Sequence, residues 1–361
     1  MTGPSTIAFV CGLAAGAVLG VAGRAGRFCT LAMLEDAFFG SDFRRLKSFA
    51  LAAAVALLAT QALATFGIVD LSRSIYLTPS IGLGGGIIGG LMFGVGMALV
   101  GTCGFGTLVR VGSGDLRAIV VFLVLGLSAL ATMRGVTGML RVRMIEPLSL
   151  RLPEGTNQAL TSLLGPGFGA AGHVILVVSI AMALALWALA DGKLARAPRL
   201  LASGLAVGAA IAFGWFATGW LADDEFDPVR VGSLTFVAPL GDTILYIATF
   251  SGARLNFGIG SVAGVIAGSL TTALLSRGFR WEACDDAREL KRHMTGALLM
   301  GVGGIMSMGC TIGQGLSAFS TLAVSAPITI LAIACGARLG LEFTMTGEWL
   351  PAVRRLFGTS T

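Results

Sequence analysis

Apolar residues in this chain run in long, nearly unbroken stretches, not in the alternating or three-to-four-spaced patterns of a soluble fold. Nine stretches are long enough to cross a hydrocarbon core of ~30 Å. They cover approximately residues 6–23, 46–67, 81–102, 116–134, 171–190, 200–220, 256–276, 294–309 and 323–342. Four other apolar segments, near 27–40, 104–112, 236–250 and 311–320, are too short to span, and each follows a turn rich in Gly, Ser or Thr. Membranes tolerate such short helices only where protein or a cavity covers the exposed backbone. The pattern therefore predicts an all-α polytopic membrane protein, with about nine transmembrane helices and four short re-entrant helices.

The order of these pieces repeats. Gly89–Leu108 reads GGLMFGVGMALVGTCGFGTL and Gly296–Gly315 reads GALLMGVGGIMSMGCTIGQG. One offset of 207 residues, the separation of Cys103 and Cys310, brings Gly94-Val95-Gly96 onto Gly301-Val302-Gly303 and Gly106 onto Gly313 without a gap. Glycines match easily by chance; a cysteine in register makes duplication the better explanation. Two short segments fall within residues 6–134 and two within 200–342, with the span 171–190 between them. An odd linker span turns the second half over in the membrane, so the chain reads as one transport domain, residues 1–361, of two inverted-topology halves.

Composition narrows the class. Of 361 residues, 55% are hydrophobic and 12% charged, against roughly 25% charged in a soluble domain. The 53 glycines suit close helix approach and irregular backbone lining a cavity. The first apolar run has no cleavage site after it and reads as a retained span. The net charge of +6 is accounted for by positive loops on one side of a membrane, without nucleic-acid binding. Seventeen Lys and Arg, among them Arg24, Arg27, Arg44, Arg45 and Lys47, fall on one side and seven on the other. The first side is cytoplasmic by the positive-inside rule, which puts the N-terminus outside and the C-terminus in the cytoplasm. The loop 135–170, with Pro147, Pro153 and Pro166, and the acidic Asp223-Asp224-Glu225 are then external. The six cysteines show no CxxC or His-paired spacing and there are two histidines, so neither a disulfide framework, a metal site nor a cofactor is expected.

The chemistry concentrates at the turns. VAGRAGRFC, GTCGFG and MGCTIGQG each set a cysteine where a span stops and a short helix starts. Glycine permits the sharp turn, and free N–H groups at a helix start favour an anion. Cys11 and Cys335 lie inside smooth spans and read as small buried hydrophobes; Cys284 sits in a charged loop. Cys29, Cys103 and Cys310 are the candidate pathway residues. A thiol among apolar groups is a neutral, polarisable donor, able to meet a soft anion without trapping it. Gly101, Thr102, Gly104 and Thr107 beside Cys103, and Gly309, Thr311 and Gln314 beside Cys310, would meet the oxygens of a sulfur oxyanion through hydroxyls, an amide and backbone N–H groups. Arg24 and Arg27 would attract the anion at the inner mouth, or serve as positive-inside anchors. Arg338 and Glu342, four apart, read as a structural pair, and Asp242 as a cap or a polar group of the pathway. Several weak sites in series would let an ion leave as readily as it enters.

GRFC…LED, GTCGFGTLVR…GDLRA, TFVAPLGDTILY and ALLMGVGGIMSMGCTIGQGLSA, in that order from about Gly23 to Glu342, resemble the YeeE/YedE sulfur-transport membrane family, which includes bacterial thiosulfate uptake proteins. The resemblance implies nine spans with four short central helices in inverted halves. It also implies passage of thiosulfate or a related sulfur anion past three cysteines, matched here by Cys29, Cys103 and Cys310, in a bacterial inner membrane. It assigns no enzyme activity. A cytosolic sulfur-carrier protein is a candidate partner. The competing expectation is a membrane sulfur relay, in which a cysteine persulfide passes sulfane sulfur inward; Arg24 and Arg27 beside Cys29 are the feature that would serve it.

Overall fold

A computed structural model describes residues 3–153, 156–163, 169–224, 229–250, 254–283 and 286–348. Cys284, Pro166, Glu225, Arg354 and Arg355 lie outside them. Long helices form wherever the apolar runs are uninterrupted: α1 (Pro4–Ala25), α3 (Arg44–Thr65), α4 (Gly90–Val100, entered through a π-helical turn at Gly85–Gly89), α6 (Leu116–Arg134), α9 (Gly169–Leu189), α10 (Pro198–Phe216), α12 (Phe257–Leu275), α13 (Ala287–Met306) and α14 (Ser325–Thr346). Asp115, Asn256 and Asp286 cap α6, α12 and α13 by accepting from backbone N–H groups, as short polar side chains at an N-cap do. Among the described residues eight helices have the length and composition to cross a membrane. The ninth expected span falls within α13, which is 20 residues long but opens on ARELKRH. Its charged first two turns leave too short an apolar remainder to qualify by composition.

The four short segments are helical. They are α2 (Thr30–Glu35), running on as a π-helix over Asp36–Gly40; α5 (Gly104–Gly112); α11 (Ala238–Ala248); and residues 311–320, wound as a π-helix over Gly313–Ala318. The segment after α6 folds into α7 (Val136–Met144) and the short α8 (Leu160–Leu163). Between them Leu150–Arg151 pairs antiparallel with Ser80–Ile81.

Helix contacts follow a pattern of exchange. α1 packs on α12 as α10 packs on α3; α4 packs on α14 as α13 packs on α6; α5 touches α12 as the segment 311–320 touches α3; α11 touches α6 as α2 touches α14. α1–α10 and α4–α13 pair across the middle. Replacing α1 to α6 by α10 to α14, with residues 311–320 standing for α5, carries each of these contacts onto another. α9 stands apart, packed on α3.

Glycine makes the closest of these contacts possible. Gly12, Gly16 and Gly20 of α1 lie on the carbonyls of Phe257, Ser261 and Val265, while Gly260, Gly264 and Gly268 of α12 lie on those of Phe9, Leu13 and Ala17. A Cβ at any of the six would occupy the space of the facing oxygen. Lipid tails are as apolar as leucine, so helices in a bilayer associate through such close backbone packing. Gly264→Leu should therefore lower the thermal unfolding temperature or the yield of monodisperse protein in detergent, since overpacking costs about 1–3 kcal/mol. Gly232→Ala, with nothing within 4 Å of the added carbon, should leave both unchanged.

Candidate functional site

Three of the four short helices start with the same device. Two residues before each cysteine the backbone turns left-handed: φ is +54° at Arg27, +77° at Gly101 and +58° at Met308. This stops the preceding helix, and the cysteine then takes the extended N-cap position of the next one, with φ of −136° at Cys29 and −88° at Cys103. Glycine adopts the left-handed conformation freely, whereas a residue with a Cβ pays about 1–2 kcal/mol. Arg110 ties the first repeat's break together by donating from Nη2 to the Gly101 carbonyl at 2.8 Å.

The sulfurs themselves cap these helices. Gly106 N donates to Cys103 Sγ and Gly313 N to Cys310 Sγ, both at 3.4 Å. The two glycines, equivalent under the 207-residue offset, thus spend on the thiols the N–H groups that the sequence offered to an anion. Accepting on sulfur leaves each S–H free to donate elsewhere. Cys29 forms no such cap bond; its half-buried thiol faces a cavity of about 10 Å³ lined by Phe28, Met33, Arg45, Ser48 and Phe49.

The four starts meet. Thr30 Oγ1 and Thr311 Oγ1, each directly following a cysteine, lie 3.0 Å apart and buried. The Cys103 thiol lies near this hydroxyl pair, with Cys29 and Cys310 also in its surroundings. Phe105 packs on Phe236 with ring centroids 5.4 Å apart, joining α5 to the lead into α11. Ser317 Oγ donates to the Leu234 carbonyl at 2.6 Å, joining residues 311–320 to the same lead. Cys103 and Cys310 are 0% and 1% exposed, so the centre is closed on all sides.

Neighbouring groups serve the breaks as well. Thr107 Oγ1 donates to the Cys103 carbonyl at 3.0 Å. The Thr102 hydroxyl fills the space a Cβ on Gly106 would need. Gln314 Nε2 donates to the Ser307 carbonyl at 2.7 Å, while its Oε1 is buried without a partner. Gly104 lies against Leu125, Leu240 and the Phe236 carbonyl, and Gly309 against Gln314. Arg24 is turned away from the thiols: its Nη2 donates to the Gly278 carbonyl at 2.8 Å, binding the end of α1 to the loop after α12. Arg27 lines a cavity of about 610 Å³ with Arg44, Arg45, Arg199, Asp36 and Asp42. There Arg45 pairs with Asp36 at 2.9 Å and Arg44 with Asp42 at 2.7 Å; the hydrogen bond from Arg44 holds the Asp42 carboxyl below the usual carboxylate range.

Cys11 lies half-buried in α1 and Cys335 exposed on α14, both away from the convergence. Arg338 Nε approaches Glu342 Oε1 at 3.5 Å. Asp242, in the second turn of α11, pairs with Arg134 at 3.7 Å. Sequence reasoning passed over Thr30, Thr235 and Tyr76. The Cys-Thr dipeptide at 29–30 and again at 310–311 was a usable signal for Thr30. Nothing local marked the other two.

A mostly helical polytopic bundle with short helices closed around a polar centre is an architecture that membrane transport proteins use. The chain belongs to the sulphur transport family, whose pattern it matches over residues 25–339. It is similar to the thiosulfate transporter TsuA of Escherichia coli (strain K12), with 26% identity over 324 residues, 84% of this chain and 86% of the relative. It is equally similar to the thiosulfate transporter TsuA of Spirochaeta thermophila, with 26% identity over 326 residues, 87% of this chain and 92% of that one.

The left-handed turns give a direct test of the local geometry. Gly101→Val should lower the unfolding temperature, with a cost of about 1–2 kcal/mol. Met308→Gly should leave it unchanged or raise it, measured by thermal unfolding of the two purified variants.

Proposed function

We propose that this protein is a bacterial inner-membrane facilitator that takes up thiosulfate, or a closely related sulfur anion, past Cys29, Cys103 and Cys310. The observation that carries this reading is the meeting of three cysteine-headed helix starts around the Thr30–Thr311 hydroxyl pair. Family membership and the two thiosulfate-transporting relatives support the substrate class. The exchange pattern of helix contacts supports two repeated halves, and the one-sided distribution of Lys and Arg supports an N-terminus outside and a C-terminus in the cytoplasm.

The chemistry follows from what a sulfur oxyanion offers. Its terminal sulfur is soft and its oxygens are hard. Stripping a dianion of water without replacement would cost tens of kcal/mol, so no one group suffices. A thiol whose sulfur already caps a helix presents S–H to the soft end as a weak donor without charge. Thr30, Thr102 and Thr311 supply hydroxyls to the hard end. Each contact is weak and another lies beside it, so the anion moves from thiol to thiol without being held. Arg27, Arg45 and Arg199 draw it at the inner cavity. The space at Cys29 is at most that of a single water, so the tips must part for an anion to pass. The Thr30–Thr311 bond is one that breaks when they do.

In proteoliposomes with sulfur-labelled thiosulfate, Cys→Ala at 29, 103 or 310 should each reduce uptake at least about tenfold, the loss expected for ~1.4 kcal/mol per site. The same change at Cys11 or Cys335 should be silent. Normal uptake by all three pathway variants would remove the thiol mechanism. Labelling the two sulfur atoms differently separates transport from relay: both labels inside support transport, and one label inside, with a trapped cysteine persulfide, supports relay to a cytosolic sulfur carrier.

A further inference from the structure

Tyr76 is one of two tyrosines in the chain and is 2% exposed. It stands in the loop between α3 and α4, with its ring edge-on to Trp215 at 6.3 Å and 73°. Trp215 is fixed in turn by its Nε1, which donates to Ser320 Oγ at 3.0 Å. The ring is thus held, and the hydroxyl it carries makes no well-aligned hydrogen bond. That hydroxyl lies beside the Thr235 side chain and within electrostatic range of Cys310. A Cβ placed on Gly313, whose N–H donates to the Cys310 sulfur, would stand 2.5 Å from Thr235 Oγ1 and 3.4 Å from the Tyr76 oxygen.

A buried hydroxyl that is poorly satisfied is costly, and phenylalanine would fill the same space without that cost. Its polar neighbour is the Thr235 hydroxyl, itself a donor, so the pair has donor capacity to offer an oxygen that approaches it. We propose that Tyr76 and Thr235 form an oxyanion-holding station opposite Cys310. The phenol and the threonine hydroxyl donate to oxygens of the passing anion while the Cys310 S–H meets its sulfur. Gly313, lacking a side chain, lets Thr235 and Tyr76 come this close to the Cys310 helix start. The station selects two-ended sulfur oxyanions over sulfide, which has no oxygen for Tyr76 to hold. This inference rests on the transport reading above and adds the residues that grip the oxygens.

The test is thiosulfate uptake kinetics in proteoliposomes, with the thermal unfolding of each variant. Tyr76→Phe should raise KM about tenfold, with maximal rate changed far less and with the unfolding temperature equal to or above that of the parent. A purely structural tyrosine would lower the unfolding temperature and leave KM in place. Should Tyr76→Phe fail to fold, Thr235→Val decides by the same KM measure. A parental KM in the folded variant overturns the station. Parental protein that moves no thiosulfate overturns the transport reading and the station with it, so the two failures are told apart by the parental control.

Discussion

Everything at the centre of this molecule hangs from helices that touch backbone to backbone. Hydrocarbon gives no net incentive for one apolar helix to leave lipid for another. Here the attraction comes from carbonyls laid against glycine Cα atoms: α1 on α12, α4 on α14 through Gly94 and Gly336, and α4 on α13 through the reciprocal pairs Gly96–Gly296 and Gly89–Gly303. Contacts this close fix axial register, because a shift by one residue moves the helix 1.5 Å and turns its glycine face away. Cys29 follows the end of α1, Cys103 the end of α4 and Cys310 the end of α13. The depth at which each thiol sits is therefore set by glycines two to four turns away that touch no part of the site.

The structural duty of the three cysteines is tied to the helix breaks. Each ends one helix and begins the next, and at Cys103 and Cys310 the sulfur is the cap. Serine would cap at least as well, so capping does not account for sulfur; the polarisable, uncharged S–H of the proposed pathway would. The duplicated halves reach this arrangement by different means. The slot over Gly106 is filled by Thr102 from its own turn, while the slot over Gly313 is faced by Thr235 from the lead into α11. The first break is thus filled from within its own turn, and the second is faced by the lead into α11 and by Tyr76.

How much of this could be read from the chain depends on range. Span and short helix were legible because a run of apolar residues has a length, and a bilayer has a thickness. The turns were legible because Gly and Cys cluster there, and the 207-residue offset tied two of them together. The spacing of Gly12, Gly16 and Gly20, and of Gly260, Gly264 and Gly268, is plain in the sequence, but nothing in it says that these two stripes face each other. Tyr76 and Thr235 were invisible for the same reason: their roles come from meeting Gly313 across more than 70 residues of chain. Arg24 shows the same limit of range: its hydrogen bond to the carbonyl of Gly278, far along the chain, could not be read from its place beside a candidate thiol. The apolar run 294–309 marks only the later part of α13, because the helix begins earlier, in the charged Ala287–His293 that no apolar pattern could include.

The distribution of strong and weak joints bears on how a closed centre could open. Sliding α1 on α12, or α4 on α13, would drive backbone into backbone along several turns at once. The joints between short helices are lighter: one hydroxyl pair between Thr30 and Thr311, one ring contact between Phe105 and Phe236, and one serine-to-carbonyl bond from Ser317. A net hydrogen bond of this kind is worth about 0.5–1.5 kcal/mol, and the anion of the proposed pathway would offer replacement partners to the same hydroxyls. The π-helical windings over Asp36–Gly40 and Gly313–Ala318 lie in two of these four segments, where the backbone is least regular. On the proposed transport reading, parting the tips breaks fewer and lighter contacts than rocking one half against the other, so the glycine-locked frame could stay still while the centre yields.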